Sequence, residues 1–422
     1  MMWWQRSVVV AVRRIRAAAE QKSGSWQQPQ QVRSKHWLAM WGNGDQGRLG
    51  LSTVDSQWKP TLCSSLQDQE PVAVACGGAH TLVLTGNGCI FAMGLNDYGQ
   101  LGLPLDTPHS SDPVEVKGLP SRCVFVSAGY HHSAAITEDG AVYVWGSNSN
   151  GQLGLGKNAL SKTWSPQRVD ALKDLQIKML ALGSEHSLGL TEDGEVLSWG
   201  SGQNGQLGHG QPNGLFHYLR NSSECYPRLI DGLRGIRARA ISAGLMHSAC
   251  VDQLGNLFTF GQGRMCQLGH GDTRDSFEPL AVTNLPSCAG VACGGYHTGA
   301  ISRNGDLYTW GSNEYGCLGF GYQHSNQMVF PLKVDGVLAR LRVSEVACGW
   351  KHTCALTVDG QLYAWGWGGS QGTYSTDARS SGGQLGAGDE FDYNEPTLVS
   401  TNSMRALHVS CGFNHTGAIL ME

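Results

Sequence analysis

The sequence predicts an all-β chain folded as a seven-bladed β-propeller whose ring is closed by its own N- and C-terminal half-blades. Three observations carry this: a His-centred motif recurs seven times, a hairpin signal lies inside most copies, and the array begins and ends on half a copy. Composition agrees. Of 422 residues 58 are Gly, about twice ordinary usage, and 13 are Trp. Charged residues are 15% and apolar residues 41%. That balance suits short strands joined by tight turns, and it excludes a disordered polyelectrolyte. The glycines show no three-residue period, which excludes collagen, and no apolar run of about 18 residues offers a spanning helix.

The first segment reads as a leader. Met1, Trp4, Val8, Val12, Ile15 and Ala19 recur at three- and four-residue steps, with Arg6, Arg13, Arg14 and Arg16 on the other side. An amphipathic, Arg-rich, acid-poor start is the signature of an organellar transit peptide. Residues 1–44 hold seven basic residues and one acid, a charge of +6. The remaining 23 basic and 33 acidic residues leave a body at −10. Residues 1–35 are therefore expected to be a mitochondrial transit peptide with a polar linker, directing the protein to the matrix, and residues 36–422 the propeller.

The repeat follows. AGYHHSAAITEDGAVYVWGSNSNGQLG occupies Ala128 to Gly154, and CGGYHTGAISRNGDLYTWGSNEYGCLG occupies Cys293 to Gly319. The marker is His80, His132, His186, His247, His297, His352 and His415, at steps of 50 to 63 residues. A period of that length implies stacked small sheets. The short apolar run after each His fits a strand. Asn87-Gly88, Asp139-Gly140, Asp193-Gly194, Asn304-Gly305 and Asp359-Gly360 then predict type I′ hairpin turns. The second strand ends at Trp145, Trp199, Trp310 or Trp365, with Trp41 in the first half-copy. A large aromatic at a fixed place is expected to wedge neighbouring sheets together. Met93 and Phe260 fill the slot in two copies, so bulk is expected to matter more than the indole. Pro60, Pro113, Pro166, Pro227, Pro279, Pro331 and Pro396 suit an outer, edge strand.

The array starts in mid-copy. HWLAMWGNGDQGRLG, from His36 to Gly50, has the Trp half and no His half. CGFNHTGAIL, from Cys411 to Leu420, has the His half alone. Together they make one unit, which removes the free sheet edges of an open array.

These repeats resemble those of the regulator of chromosome condensation family over about residues 36–422. The resemblance implies four antiparallel strands per blade. It also implies three familiar functions: guanine-nucleotide exchange on a small GTPase, ultraviolet-B perception by clustered tryptophans, and organellar RNA work. Only Gly349-Trp350-Lys351-His352-Thr353 matches the tryptophan motif of the light receptors, so Trp350 is expected to stand alone. With its leader, the chain is similar to the plant mitochondrial members, linked to transcript splicing and complex I biogenesis.

Catalytic, cofactor and metal sites are not expected. The seven histidines fall at equivalent places in separate sheets, and each is expected to bond a neighbouring backbone. Adjacent pairs such as His132-Ser133 point to opposite faces of a strand. Gly200 to Gly205 matches GxGxxG, but no helical pattern follows. Thirteen scattered cysteines without a CxxC pair support neither zinc nor a disulfide framework. Two departures from the repeat are candidate partner loops: Trp367 to Ser381, with Trp367 and Tyr374, and Gly210 to Tyr226, with Phe216, Tyr218 and Arg220. Arg234, Arg237, Arg239, Arg340 and Arg342 form short basic stretches, set against an acidic body. The function expected is a non-enzymatic mitochondrial scaffold supporting intron splicing of respiratory complex I transcripts through protein partners. A guanine-nucleotide exchange factor for a small GTPase is the alternative. Neither DNA nor stable membrane insertion is expected.

Overall fold

The computed structural model describes residues 35–210, 223–321, 325–369 and 382–422. Each repeat forms a four-stranded antiparallel sheet, and there are seven. In blade 1 the strands run outward from the axis as β3 (Pro71–Cys76), β4 (His80–Thr85), β5 (Ile90–Leu95) and β6 (His109–Glu115). Each innermost strand carries a bulge, as between Pro71 and Ala73. The seven prolines lie in the outer strands, where a missing N–H costs no ladder bond.

The hairpins form where the sequence places them, with a different turn. Type I′ needs positive φ at both central residues. Here Gly88 alone is left-handed, at φ +86, and Asn87 is not. The bonds Thr85 N to Cys89 O (3.0 Å) and Gly88 N to Thr85 O (2.9 Å) close a three-residue loop. The Asn/Asp-Gly pair thus supplies a tight turn followed by one left-handed Gly.

Blade 7 closes the ring. Its strands are β27 (Arg405–Cys411), β28 (His415–Met421), β1 (His36–Gly42) and β2 (Gln57–Leu62), ordered β2-β1-β28-β27. The register of β1 on β28 is unbroken from His36 opposite Met421 to Gly42 opposite His415. The apolar core is spread between successive blades. Leu82, Leu84, Ile90 and Ala92 of blade 1 pack against Val126, Ala135 and Trp145 of blade 2.

A belt of side chains joins the blades. His Nε2 of each blade meets a hydroxyl of the next: His80–Ser133 (2.9 Å), His132–Ser187 (3.1 Å), His186–Ser248 (2.9 Å) and His247–Thr298 (2.9 Å). His297–Thr353 (2.9 Å), His352–Thr416 (3.1 Å) and His415–Thr81 (2.9 Å) complete the circle. The partner is thus a side chain, not the neighbouring backbone expected from the sequence. Each hydroxyl donates its one proton back to a loop carbonyl of the preceding blade, as Ser133 does to Gln100 O (2.7 Å). The ring nitrogen must therefore be the donor, and the imidazoles are neutral with Nε2 protonated. The indoles reach the same carbonyls: Trp145 to Gln100 O, Trp199 to Gln152 O, Trp310 to Gln267 O, Trp365 to Cys317 O and Trp41 to Gln384 O, at 2.8–3.0 Å. So the indole does more than fill space, and Met93 and Phe260 leave their carbonyls to the hydroxyl alone.

The repeat's glycines follow from the joint. A Cβ on Gly129 would sit 2.5 Å from His132 Cε1 and 2.6 Å from Gly183 O of the next blade. At Gly146, φ +103, it would meet the backbone of His131 and His132 at 2.6–2.8 Å.

One histidine at the seam differs. His408 on β27 places Nδ1 2.7 Å from Glu345 Oε1 of blade 6 and Nε2 3.0 Å from Val74 O of blade 1. Burial opposes its charge, but the Glu345 carboxylate and the Val74 carbonyl outweigh that and raise its pKa.

Deleting Asn414 to Glu422 would strip a central strand from blade 7 and break two of the seven joints. We expect cooperative unfolding of more than one blade, with unpaired buried groups costing about 1–3 kcal/mol each. Equal melting curves for the truncated and full chains would refute the closure.

Burial lowers the belt histidines from 6.5 to about 3 for His80, His132, His247 and His352, and to about 4 for His186 and His297. The unfolded chain takes up protons near pH 6.5 and the folded ring does not. Their stabilisation is complete above that pH and is lost as pH falls toward 4. His408 has the opposite sign, fading as pH rises through its raised pKa, but it is one group against many. Melting temperature should therefore fall steadily below pH 6.5. His247→Gln, which keeps an N–H donor, should cost about 1–2 kcal/mol at neutral pH. It should also reduce the proton uptake on unfolding by about one, measured from the pH dependence of denaturant midpoints.

Candidate functional site

Every inner loop reads Gly-x-x-His, and the residue two before the His faces the propeller axis. Gly78, Tyr130, Ser184, Leu245, Gly295, Trp350 and Phe413 ring one mouth of an axial channel of about 290 Å³. The belt fixes the loops behind them. The side chain at this position takes no part in the belt, and its variation around the axis is lopsided.

Aromatic rings gather on one side. Trp350 stacks on Phe413 with centroids 4.1 Å apart and planes at 14°. Phe413 meets Tyr130 edge-on at 5.3 Å, across the small blade 1 loop. Tyr130 contacts His131 at 4.3 Å, and His131 contacts Tyr98 at 4.4 Å. In the other direction Trp350 meets Trp367 at 5.9 Å, and Trp367 meets Tyr315 at 6.1 Å. Glycines make room: a Cβ on Gly78 would lie 2.8 Å from the Tyr130 ring, and one on Gly295 2.6 Å from Trp350 Cδ1. The Lys351 ammonium sits 4.5 Å from the centroids of both Trp350 and Tyr315 and 3.2 Å from Glu314. Ser184 and Leu245 leave the opposite rim without rings. The result is a half-buried aromatic arc on an acidic body. Such rings anchor interfaces because they bury much area at little entropic cost.

Trp367 corrects the expectation of a displayed loop aromatic. It is 2% exposed, wedged between Trp350 and Tyr315. The blade resumes its repeat pattern through it: Trp367 N bonds Lys351 O (2.9 Å), and Gln384 Nε2 bonds Trp367 O (2.7 Å). The insertion leaves after Gly369 and returns at Gly382, with Gly383 N on Gly368 O at 2.9 Å. Trp367 also means that Trp350 is not an isolated indole. Tyr374, Phe216, Tyr218 and Arg220 lie outside the described residues.

The belt itself performs no chemistry. Its histidines and hydroxyls are fully buried, and each hydroxyl proton is committed to a carbonyl. Burial pushes the Cys76, Cys293 and Cys317 thiols up to about 12, away from the reactive thiolate. Among the described residues no group of three His, Cys, Asp or Glu could hold a metal. The basic stretches are partly spent on joinery: Arg239 bonds Ala289 O (2.7 Å), Arg342 bonds Asn304 O (3.2 Å) and Arg234 bonds Asp231 (3.0 Å).

Tyr130 and Phe413 share the register of Trp350, two residues before the His, but neither matches the tryptophan motif, so the motif alone does not find them. Seven-fold symmetry held the signal, since equivalent positions next to an axis must form a circle.

Comparison with known proteins agrees with this architecture. The RCC1-like domain model matches residues 37–418. The human regulator of chromosome condensation is 32% identical over 400 residues, covering 90% of each chain. The Arabidopsis thaliana ultraviolet-B receptor UVR8 is 33% identical over 374 residues, 87% of this chain and 78% of the receptor. Among solved structures, human WBSCR16 superposes with a TM-score of 0.79 at 26% identity, covering 92% of this chain and all of that one. Prp20p of Saccharomyces cerevisiae, described with its binding to Gsp1p and histones, gives 0.77 at 25% identity, covering 93% and 92%. Repeat, closure and comparison converge: this chain belongs to the RCC1-like family.

Proposed function

We propose that the protein is a non-enzymatic mitochondrial scaffold that supports organellar RNA processing, namely intron splicing of respiratory complex I transcripts, through protein partners bound at the aromatic arc. The arc is the observation that carries the scaffold reading: half-buried rings that keep part of their surface at the channel mouth are what a partner-docking face requires. The leader's Arg face supports the matrix location, and the plant mitochondrial resemblance supports the choice of transcripts. The body's charge of −10 favours protein partners over bare RNA. Guanine-nucleotide exchange on a small GTPase is the second reading. It is favoured by the identity with the regulator of chromosome condensation and by the Gsp1p binding of Prp20p.

Residues 1–30 fused to a fluorescent protein should direct it to mitochondria; a nuclear or diffuse signal would sink that part of the proposal. Co-purification from isolated mitochondria should recover splicing proteins, and a loss-of-function line should retain complex I introns. Nucleotide release from a recovered GTPase, with introns spliced normally, would favour the second reading.

Removing residues 370–381 and joining Gly369 to Gly382 should shift stability by about 1 kcal/mol or less, because loop entropy changes slowly with length. If the insertion recruits a partner, that partner should vanish from pull-downs. Unchanged pull-downs and full rescue would mark the insertion as neutral.

A further inference from the structure

The innermost strands share one position, the first paired residue beyond the bulge. It holds Ala73, Phe125, Met179, Ala240 and Gly290 in blades 1 to 5, Glu345 in blade 6 and His408 in blade 7. The ladders fix the equivalence. Ala73 lies opposite Leu84, Glu345 opposite Leu356 and His408 opposite Ile419, each partner four residues after its belt histidine. Glu345 belongs to β23 (Val343–Cys348), the innermost strand of blade 6. The two ionisable members are thus neighbours around the ring, and His408 is in the blade built from both chain ends.

His408 touches the blade on either side. Its side chain is 12% exposed and lines the axial channel together with Val74. Nδ1 lies 2.7 Å from Glu345 Oε1, and Nε2 lies 3.0 Å from Val74 O. An ionised carboxylate and a carbonyl can only accept. Two bonds of this length therefore need two N–H groups, and only the imidazolium has both. The proton stays on the ring because Glu345 is 29% exposed, and a carboxyl within reach of water is a weaker base than imidazole. A neutral ring donates from one nitrogen and turns a lone pair toward the other acceptor, so it keeps one of the two bonds.

The surroundings leave His408 to titrate by itself. The strands packed against β27 carry Cys76 on β3, Cys348 on β23, His352 and Cys354 on β24 (His352–Thr357) and His415 on β28, with Arg405 and Cys411 on β27. Burial raises Cys76 to about 12 and Cys348 and Cys411 well above 9, and it lowers His352 to about 3 and His415 well below 6.5. Cys354 is fully buried in the apolar layer with Trp41 and Leu356. Arg405 turns away, to Val358 O at 2.7 Å. Glu345 is the only acid on these strands.

We propose that His408 is a proton-operated clasp on the ring's closure: as imidazolium it ties β27 to blade 6 through Glu345 and to blade 1 through Val74, and loss of its proton as pH rises releases one of the two ties. β27 ends at Cys411, two residues before Phe413, so the clasp holds the strand that presents the arc's middle ring. It acts whatever the arc binds. Burial disfavours the charge, yet Glu345 and Val74 raise the pKa above 6.5. The stabilisation is therefore full below pH 6.5 and is lost as pH rises through that raised value.

The test uses the purified full chain, isotopically labelled at histidine Cε1 for NMR. Glu345→Gln keeps the shape of the pair and removes its negative charge. Glu345→Met with His408→Ala installs the Met179 and Ala240 pair of blades 3 and 4, so it should fold. In the wild type one resonance, shifted by Glu345→Gln and absent from the double variant, should titrate with a midpoint above pH 6.5. In Glu345→Gln that midpoint should drop below 6.5, the direction in which burial pushes it. The melting temperature of the wild type should fall relative to the double variant as pH rises above 6.5. A His408 midpoint at or below 6.5 in the wild type, a midpoint unmoved by Glu345→Gln, or a melting difference that does not change with pH would each overturn the clasp.

Discussion

The whole ring depends on one shared carbonyl per joint. It takes a hydroxyl proton, and in five joints an indole proton as well, while the hydroxyl takes the proton of a buried imidazole. All of these groups are sealed from water, so each of these donors would be expensive alone and finds its acceptor only when two blades meet in one geometry. The apolar contacts between blades are larger in area but non-directional. The joint supplies the angle. This explains why His, a small hydroxyl residue and two glycines travel together through the sequence: a Cβ at the first glycine would collide with the ring and the neighbouring blade, and one at the second with the backbone that carries the His.

Much of the fold was legible because the joint repeats. His80 to His415 gave the blade count, and the half-copies at His36 and Cys411 gave the closure. Turn geometry was less legible. Asn-Gly marks a hairpin but does not say whether one or two residues adopt positive φ, and that choice depends on strand twist. The histidine's partner was also missed, because the hydroxyl directly follows the His in sequence while the bonded one lies a full blade away. Trp367 was misplaced for a related reason. Counting shows that residues are inserted after Trp365, but not which of them stay packed. A large ring facing Trp350 is retained, and the chain departs only at the glycines beyond it.

The distribution of constraint also locates function. Residues that make joints cannot vary without loss of the ring. The position two before each His joins blades through its backbone, as Tyr130 N does to Gly183 O at 3.1 Å, and its side chain ranges from Gly78 to Trp350. The aromatic arc uses that side-chain variation on one side of the axis.

The seam has a consequence for how the molecule comes into being. Of the strands of the ring, β1 leaves the ribosome first and must wait for β28, which leaves last. Until then six blades can pair internally and hold five of the seven joints, and β1 and β2 are a hairpin with one unsatisfied edge. Such a two-stranded hairpin is marginal by itself, and contacts this distant in sequence are slow to form. Nascent chains therefore spend their longest-lived state with a sticky edge at each end of an open crescent. A chaperone that shields those edges would act before any blade-specific partner could.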